Sequence, residues 1–226
     1  MSFYLYFNLV IIAFPLVFSF ERRLKFYLKF KPLLAAIVLV GCIFVGWDVL
    51  ATYRGHWSFN PSYVTEIRLL GLPLEEILFF VTVPYSCLFI FESIRKFLGD
   101  SKLFSLSRRF FAGAGLLVAV SSIGFLYKEY TFLAILSVGL TIFLVSMINV
   151  EIFSSRAYWT YITITLFLFL IFNYFLTSLP VVEYSPLAIC NIRVTTIPIE
   201  DFLFNFSMLT AHCTTYVWAL SIQKKK

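Results

Sequence analysis

The chain alternates long apolar runs with short polar stretches. Seven runs approach the ~20 residues that a helix needs to cross bilayer hydrocarbon. They cover 3–20, 33–53, 72–91, 110–127, 131–150, 157–176 and 202–220. The pattern predicts an all-α integral membrane protein with seven transmembrane helices. The first run lacks a basic start and a small-residue cleavage site, so it reads as a helix and not as a leader. Two runs open in an unusual way. Pro73-Leu74-Glu75-Glu76-Ile77-Leu78-Phe79-Phe80 starts the third, and Pro198-Ile199-Glu200-Asp201-Phe202-Leu203-Phe204 starts the seventh. Each places two carboxylates at the edge of hydrocarbon, where charge is costly.

Glu75 and Glu200 lie 125 positions apart, and that offset aligns more than the acids. It pairs Pro61 with Pro186, Ile67-Arg68 with Ile192-Arg193, Pro73 with Pro198 and Trp47-Asp48 with Phe172-Asn173. Two copies of one three-helix unit are therefore expected: residues 1–97 and 128–226, joined by a connecting helix in 98–127. The extra crossing has a geometric reason. Two three-helix units joined directly would be inverted, whereas one more helix makes the repeats parallel and puts both acidic pairs on one side. Gly113, Ala114 and Gly115 in that helix allow close approach to a neighbour.

Composition supports the membrane reading: 226 residues, 61% hydrophobic, 13% charged, with 28 Phe and 13 Tyr. A net charge of +6 suggests nucleic acid until the charges are placed. Fourteen Lys and Arg fall in 21–32, 92–109, Arg156 and the tail Lys224–Lys226, against Arg54, Arg68, Lys128 and Arg193 on the other side. This split orients the chain with its N-terminus outside and its C-terminus in the cytoplasm. No nucleic-acid partner is implied, and membrane lipid is. Cys42, Cys87, Cys190 and Cys213 show no metal or disulfide spacing.

The candidate chemistry is acid–base. Asp48 ends the second run about five residues inside its boundary, at the level of Glu75 and Glu76. Adjacent carboxyls where water is scarce do not both ionise cheaply, which leaves a shared proton for general-acid work. Neighbouring helix positions point about 100° apart, so one acid of each pair should face the interior. Glu75 and Glu200 are the expected pair because they match between copies, whereas Glu76 becomes Asp201. Carboxylates in a first helical turn can also do no more than satisfy the helix dipole. Trp47, Tyr53, Phe79, Phe204 and Asn173 are the candidate substrate-binding residues, since aromatic faces stabilise cations. Tyr4 reads as an interfacial anchor, and His212 as the donor of an interhelical hydrogen bond. No G-x-G-x-x-G, no lysine within a span and no D-D-x-x-D run is present, so neither cofactor nor metal is expected.

The repeated Pro-Leu-Glu-Glu-x-Leu-Phe-Phe and Pro-Ile-Glu-Asp-Phe-Leu-Phe-Asn, with Trp47-Asp48 before the first, resemble the membrane lycopene β-cyclases of the heterodimeric and fused type. The resemblance implies a fused bacterial form in the inner membrane. It implies lycopene and related carotenoids as substrates, and cyclisation of ψ ends to β rings in carotenoid biosynthesis without cofactor. It implies proton donation by Glu75 or Glu200, and relay or deprotonation by Glu76, Asp201 or Asp48. Homo-oligomers and complexes with other carotenoid enzymes stay open. The alternatives are a proton-coupled transporter or another carotenoid-modifying enzyme; the in-span prolines Pro15 and Pro84 mark where a transporter's helices would break.

Overall fold

The computed structural model describes residues 2–223; the tail lysines Lys224–Lys226 lie outside the described residues. Seven α-helices follow in order: α1 Phe3–Phe18, α2 Phe30–Tyr53, α3 Leu74–Phe97, α4 Arg108–Ser121, α5 Glu129–Asn149, α6 Arg156–Ser178 and α7 Ile199–Gln223. Serine starts three of them: Ser2, Ser107 and Ser155 accept from the backbone N–H three residues on. Five helical segments among the described residues are long and apolar enough to cross a membrane. α1 is apolar but only 16 residues long, and α7, at 25 residues, is not among the five. Several helices outrun their apolar stretch. α3 continues to Phe97 and carries Arg95 and Lys96 in its last turn, where basic groups suit the helix dipole. Neither Pro15 nor Pro84 breaks its helix.

The bundle has two dissimilar ends. At one, the 98–107 connection meets the start of α6: Arg156 N–H donates to the Ser101 carbonyl at 2.8 Å, and Asp100 accepts from the Ser155 hydroxyl at 2.9 Å. Glu92, near the end of α3, pairs there with Lys29 and with Arg95 (3.0 Å). At the other end lie both acidic turns and six short strands: β1 Trp57–Phe59, β2 Arg68–Leu69, β3 Leu72–Pro73, β4 Val182–Tyr184, β5 Arg193–Val194 and β6 Ile197–Pro198. The sequence pattern showed only turns here. β2–β3 and β5–β6 are tight hairpins leading straight into α3 and α7. The turns need positive φ, taken by Leu70 (55°) and Gly71 (87°) in the first and by Thr195 (59°) in the second.

β1 and β4 occupy equivalent places in the two copies and pair antiparallel with each other. Ser58 faces Glu183, its own counterpart at the offset of 125, so the contact is self-complementary about a local twofold. The N-termini of the copies are tied to the same end. Tyr4 N–H donates to the Tyr63 carbonyl at 3.1 Å, and Tyr130 N–H to the Ala188 carbonyl at 2.9 Å. Tyr4 and Tyr130 are 126 apart, not 125: the second copy is one residue shorter before α6.

The middle helices are exchanged between copies. α2 packs more extensively on α7 than on α3, and α6 more on α3 than on α7. α4 has no counterpart and lies along α5, where the two backbones nearly touch. A Cβ on Gly139 would sit 2.4 Å from the Ala119 nitrogen, and one on Gly115 2.6 Å from the Phe143 nitrogen. His212 is buried in α7, but its Nδ1 bonds the Met208 carbonyl of its own helix at 2.8 Å. The expected interhelical bond is absent: Nδ1 is taken by a carbonyl one turn back, and the buried Nε2 has no partner.

Gly139→Ala should force α4 from α5 and cost about 1–3 kcal/mol, read as a lower melting temperature in detergent. Gly113→Ala meets no atom within 4 Å and should hold or raise that temperature.

Candidate active site

Beneath the β1–β4 pair lies a cavity of about 80 Å³ walled by α2, α3, α6, α7 and the two long connections. Three carboxyls line it: Asp48 from α2, Glu76 from α3 and Asp201 from α7. All are buried, at 2%, 9% and 6% exposure. Burial of this kind needs donors, and the site supplies them. The Tyr4 hydroxyl donates to Glu76 Oε2 at 2.7 Å, and its counterpart Tyr130 donates to Asp201 Oδ1 at 2.8 Å. Asp201 Oδ2 accepts from the Tyr184 hydroxyl at 2.7 Å and from Asn173 Nδ2 at 2.9 Å. Asp48 Oδ1 accepts from Trp57 Nε1 at 2.8 Å. Asp48 Oδ2 has no partner, and the field of Asp48 acts directly on Glu76.

Aromatic rings close the space around the acids. Trp57 meets Tyr130 edge-on at 4.9 Å, and Tyr130 stacks on Tyr184 with 10° between planes. Tyr184 lies in the connection outside the helices. Burial, then the Asp201 carboxylate, holds its phenol far above the ordinary range, so it remains a donor.

The expected interior acids are placed elsewhere. Glu75 and Glu200 are each buried, but neither lines the cavity. Glu75 accepts from Thr65 N–H at 2.7 Å, the Thr65 hydroxyl at 3.1 Å and the Ser2 hydroxyl. Glu200 accepts from Cys190 N–H at 2.7 Å and the Thr131 hydroxyl at 2.5 Å. Thr65 and Cys190 are equivalent positions, so both glutamates make the same clamp between a helix start and the connection before it. The one-residue turn of about 100° sends their partners Glu76 and Asp201 inward instead. Both sets of acids thus share the first turn, one for fastening and one for the cavity.

Of the aromatic candidates, Phe79 and Phe204 line the cavity, as does Asn173. Tyr53 is 89% exposed and does not reach it. Trp47 lies one helical position from Asp48, lines a separate groove, and leaves its Nε1 without a partner. Sequence reasoning missed Tyr4, Trp57, Tyr130, Tyr184 and Asn205. A search for the repeat allowing a one-residue gap would have paired Tyr4 with Tyr130; Trp57 and Tyr184 give no such signal, because the strand pairing of the two connections brings them in. Among the described residues no group of three or more His, Cys, Asp or Glu is arranged to hold a metal ion.

The comparisons agree with the internal repeat. The family model described as Lycopene cyclase matches residues 1–94 and again 127–219, leaving out the stretch that holds α4. No curated protein and no solved structure matches the chain. With both copies matched over most of their length, the chain belongs to the lycopene cyclase family.

Proposed function

We propose that the chain is a lycopene β-cyclase that converts the ψ ends of lycopene to β rings by acid–base chemistry alone. The observation that carries this reading is the buried cavity in which carboxyls from both copies meet under a roof of aromatic rings. The reaction adds a proton to C2 of the ψ end, leaving the positive charge on C1. The C5=C6 π pair then bonds C6 to C1 and moves the charge to C5, and loss of the C6 proton restores C5=C6. No electrons enter or leave, so the class is an intramolecular lyase.

Asp48 and Glu76 supply the proton. Two carboxyls this close in a poorly polarisable site carry one proton between them, and the unpartnered Asp48 Oδ2 marks where it can sit. Asp201, held by three donors, faces the developing cation and takes the C6 proton. Glu76, which lines the same cavity as Asp201, returns the proton to the pair. Phe79, Phe204, Trp57 and Tyr130 line the site and offer π faces to the cation. Glu75 and Glu200 fasten the helix starts.

The membrane reading follows the same geometry. All seven helices cross, residues 1–97 and 128–226 form parallel repeats about the 98–127 connector, and the acidic end faces outward across a bacterial inner membrane. Support comes from the basic residues: Arg22, Arg23, Lys25, Arg108 and Arg109 are near the end opposite the acids, and only Arg54, Arg68, Lys128 and Arg193 near the acids.

In a lycopene-accumulating bacterium, Glu76→Gln and Asp201→Asn should each lower ring formation by about 10²–10⁴-fold, scored by chromatography at matched membrane protein. Glu75→Gln and Glu200→Gln should act through stability, about 1.5–3 kcal/mol for a charged hydrogen bond, and keep activity per folded molecule well above that of Glu76→Gln. The reverse order would return the catalytic role to Glu75 and Glu200. The topology is checked separately. Ser62→Cys and Leu187→Cys, equivalent and exposed positions, should both label with an impermeant thiol reagent on intact cells of a chain lacking its four native cysteines. Labelling of one alone would refute the parallel arrangement.

A further inference from the structure

The acidic cavity adjoins a groove of about 350 Å³ between α1, α3 and α6. Phe79, Phe169, Asn173, Leu176 and Asn205 line both spaces, so the groove runs alongside the cavity. Phe14, Phe89 and Ile90 then carry the groove into a further hollow of about 600 Å³ that reaches Phe97 and Leu98. Phe79 to Phe97 is eighteen positions on one helix, ~27 Å, against ~30 Å for bilayer hydrocarbon. The walls are overwhelmingly apolar, with aromatic rings at Phe14, Phe89, Phe169 and Phe172.

A second groove, of about 440 Å³, lies between α5, α7 and α2. It is the repeat image of the first. Leu136, Leu140 and Thr141 stand where Val10, Phe14 and Pro15 stand, at an offset of 126. Phe204, Thr214 and Thr215 stand where Phe79, Phe89 and Ile90 stand, at 125. The images differ where they approach the acids. On the second side only Phe204 lines both groove and cavity. Its ring packs edge-on against Phe44 at 5.1 Å and tilted against Trp47 at 6.4 Å, between the groove and the cavity. On the first side Phe169, the counterpart of Phe44, packs instead on Phe202 at 5.1 Å and lines both groove and cavity.

We propose that the groove between α1, α3 and α6 is the binding site for the linear polyene of the substrate, and that its image between α2, α5 and α7 is closed to it. This rests on the cyclase reading above. A polyene lying along the groove places one end at Asp48, Glu76 and Asp201 and the rest among aromatic rings, roughly parallel to the bilayer normal. One open groove on one acidic cavity makes the chemistry sequential. A molecule with two ψ ends leaves after the first ring and returns reversed, so the one-ring product is free in the membrane between turns.

The test uses matched substitutions at half-buried, equivalent positions, Ile90→Trp and Thr215→Trp, in the full chain carrying Glu76→Gln so that bound lycopene is not consumed. Lycopene per protein is measured on chain purified from lycopene-accumulating cells and eluting as one species. Ile90→Trp should lower bound lycopene by about ten-fold, and Thr215→Trp should leave it within about two-fold. Equal loss in both, loss in Thr215→Trp alone, or retention in Ile90→Trp with phospholipid displaced instead would each overturn the assignment. Should Ile90→Trp not fold, Leu168→Trp and its counterpart Ile43→Trp give the same comparison on the facing helix. Binding that depends on Ile90 in a wild-type chain that forms no ring would sink the cyclase reading and leave the groove. Ring formation undisturbed by Ile90→Trp would sink the groove alone.

Discussion

Carboxyl groups in hydrocarbon are the constraint on which the rest of this structure depends. A buried acid without donors costs several kcal/mol, and three of them in one small cavity cost more by mutual repulsion. Each carboxyl is therefore met by donors, and those donors come from far along the chain. Tyr4 and Tyr130 start the first helix of each copy, Trp57 and Tyr184 sit in the two long connections, and Asn173 is on α6. Bringing them together requires the N-termini to be tied to the connections and the connections to each other. The backbone bonds at Tyr63 and Ala188 and the β1–β4 pairing do this. Glu75 and Glu200 hold the same junction from within.

The twofold arrangement is imperfect in a way that matters. Asp48 in the first copy becomes Asn173 in the second, so one side of the cavity holds two carboxyls and the other a single carboxyl with three donors. Exchange of one carboxyl for an amide thereby makes the two sides of the cavity chemically unlike. The grooves diverge likewise: Phe169 lines both its groove and the acidic cavity, whereas Phe44 lines its groove alone.

Much of this was legible in the sequence because it depends on local pattern. The seven apolar runs locate all seven helices, and the offset of 125 locates both acidic turns and the Asp48/Asn173 pair. What failed is instructive. Similarity between copies favoured Glu75 and Glu200, but matching measures shared duty and not direction, and their shared duty is to clamp the connection. Which neighbour faces inward is an azimuth set by how α3 and α7 pack, and no repeat reports it. Tyr4 was passed over because one missing residue moves its counterpart from 129 to 130. Trp57 and Tyr184 enter through strands of three residues each, too short for a pattern to register, paired across 125 positions.

The exchange of middle helices has a consequence for ancestry and assembly. Each lateral groove is built by two helices of one copy and the central helix of the other. Were the connector cut, the halves would not be two finished proteins meeting at a surface. Each would hold a hole shaped for its partner's core, and α2 and α6 would lose the neighbour on which each packs most. Association would then be part of folding, insensitive to dilution once complete and aggregation-prone before it. A covalent link through α4 replaces that search by an intramolecular one at fixed local concentration, which gives an otherwise unmatched helix a reason to persist.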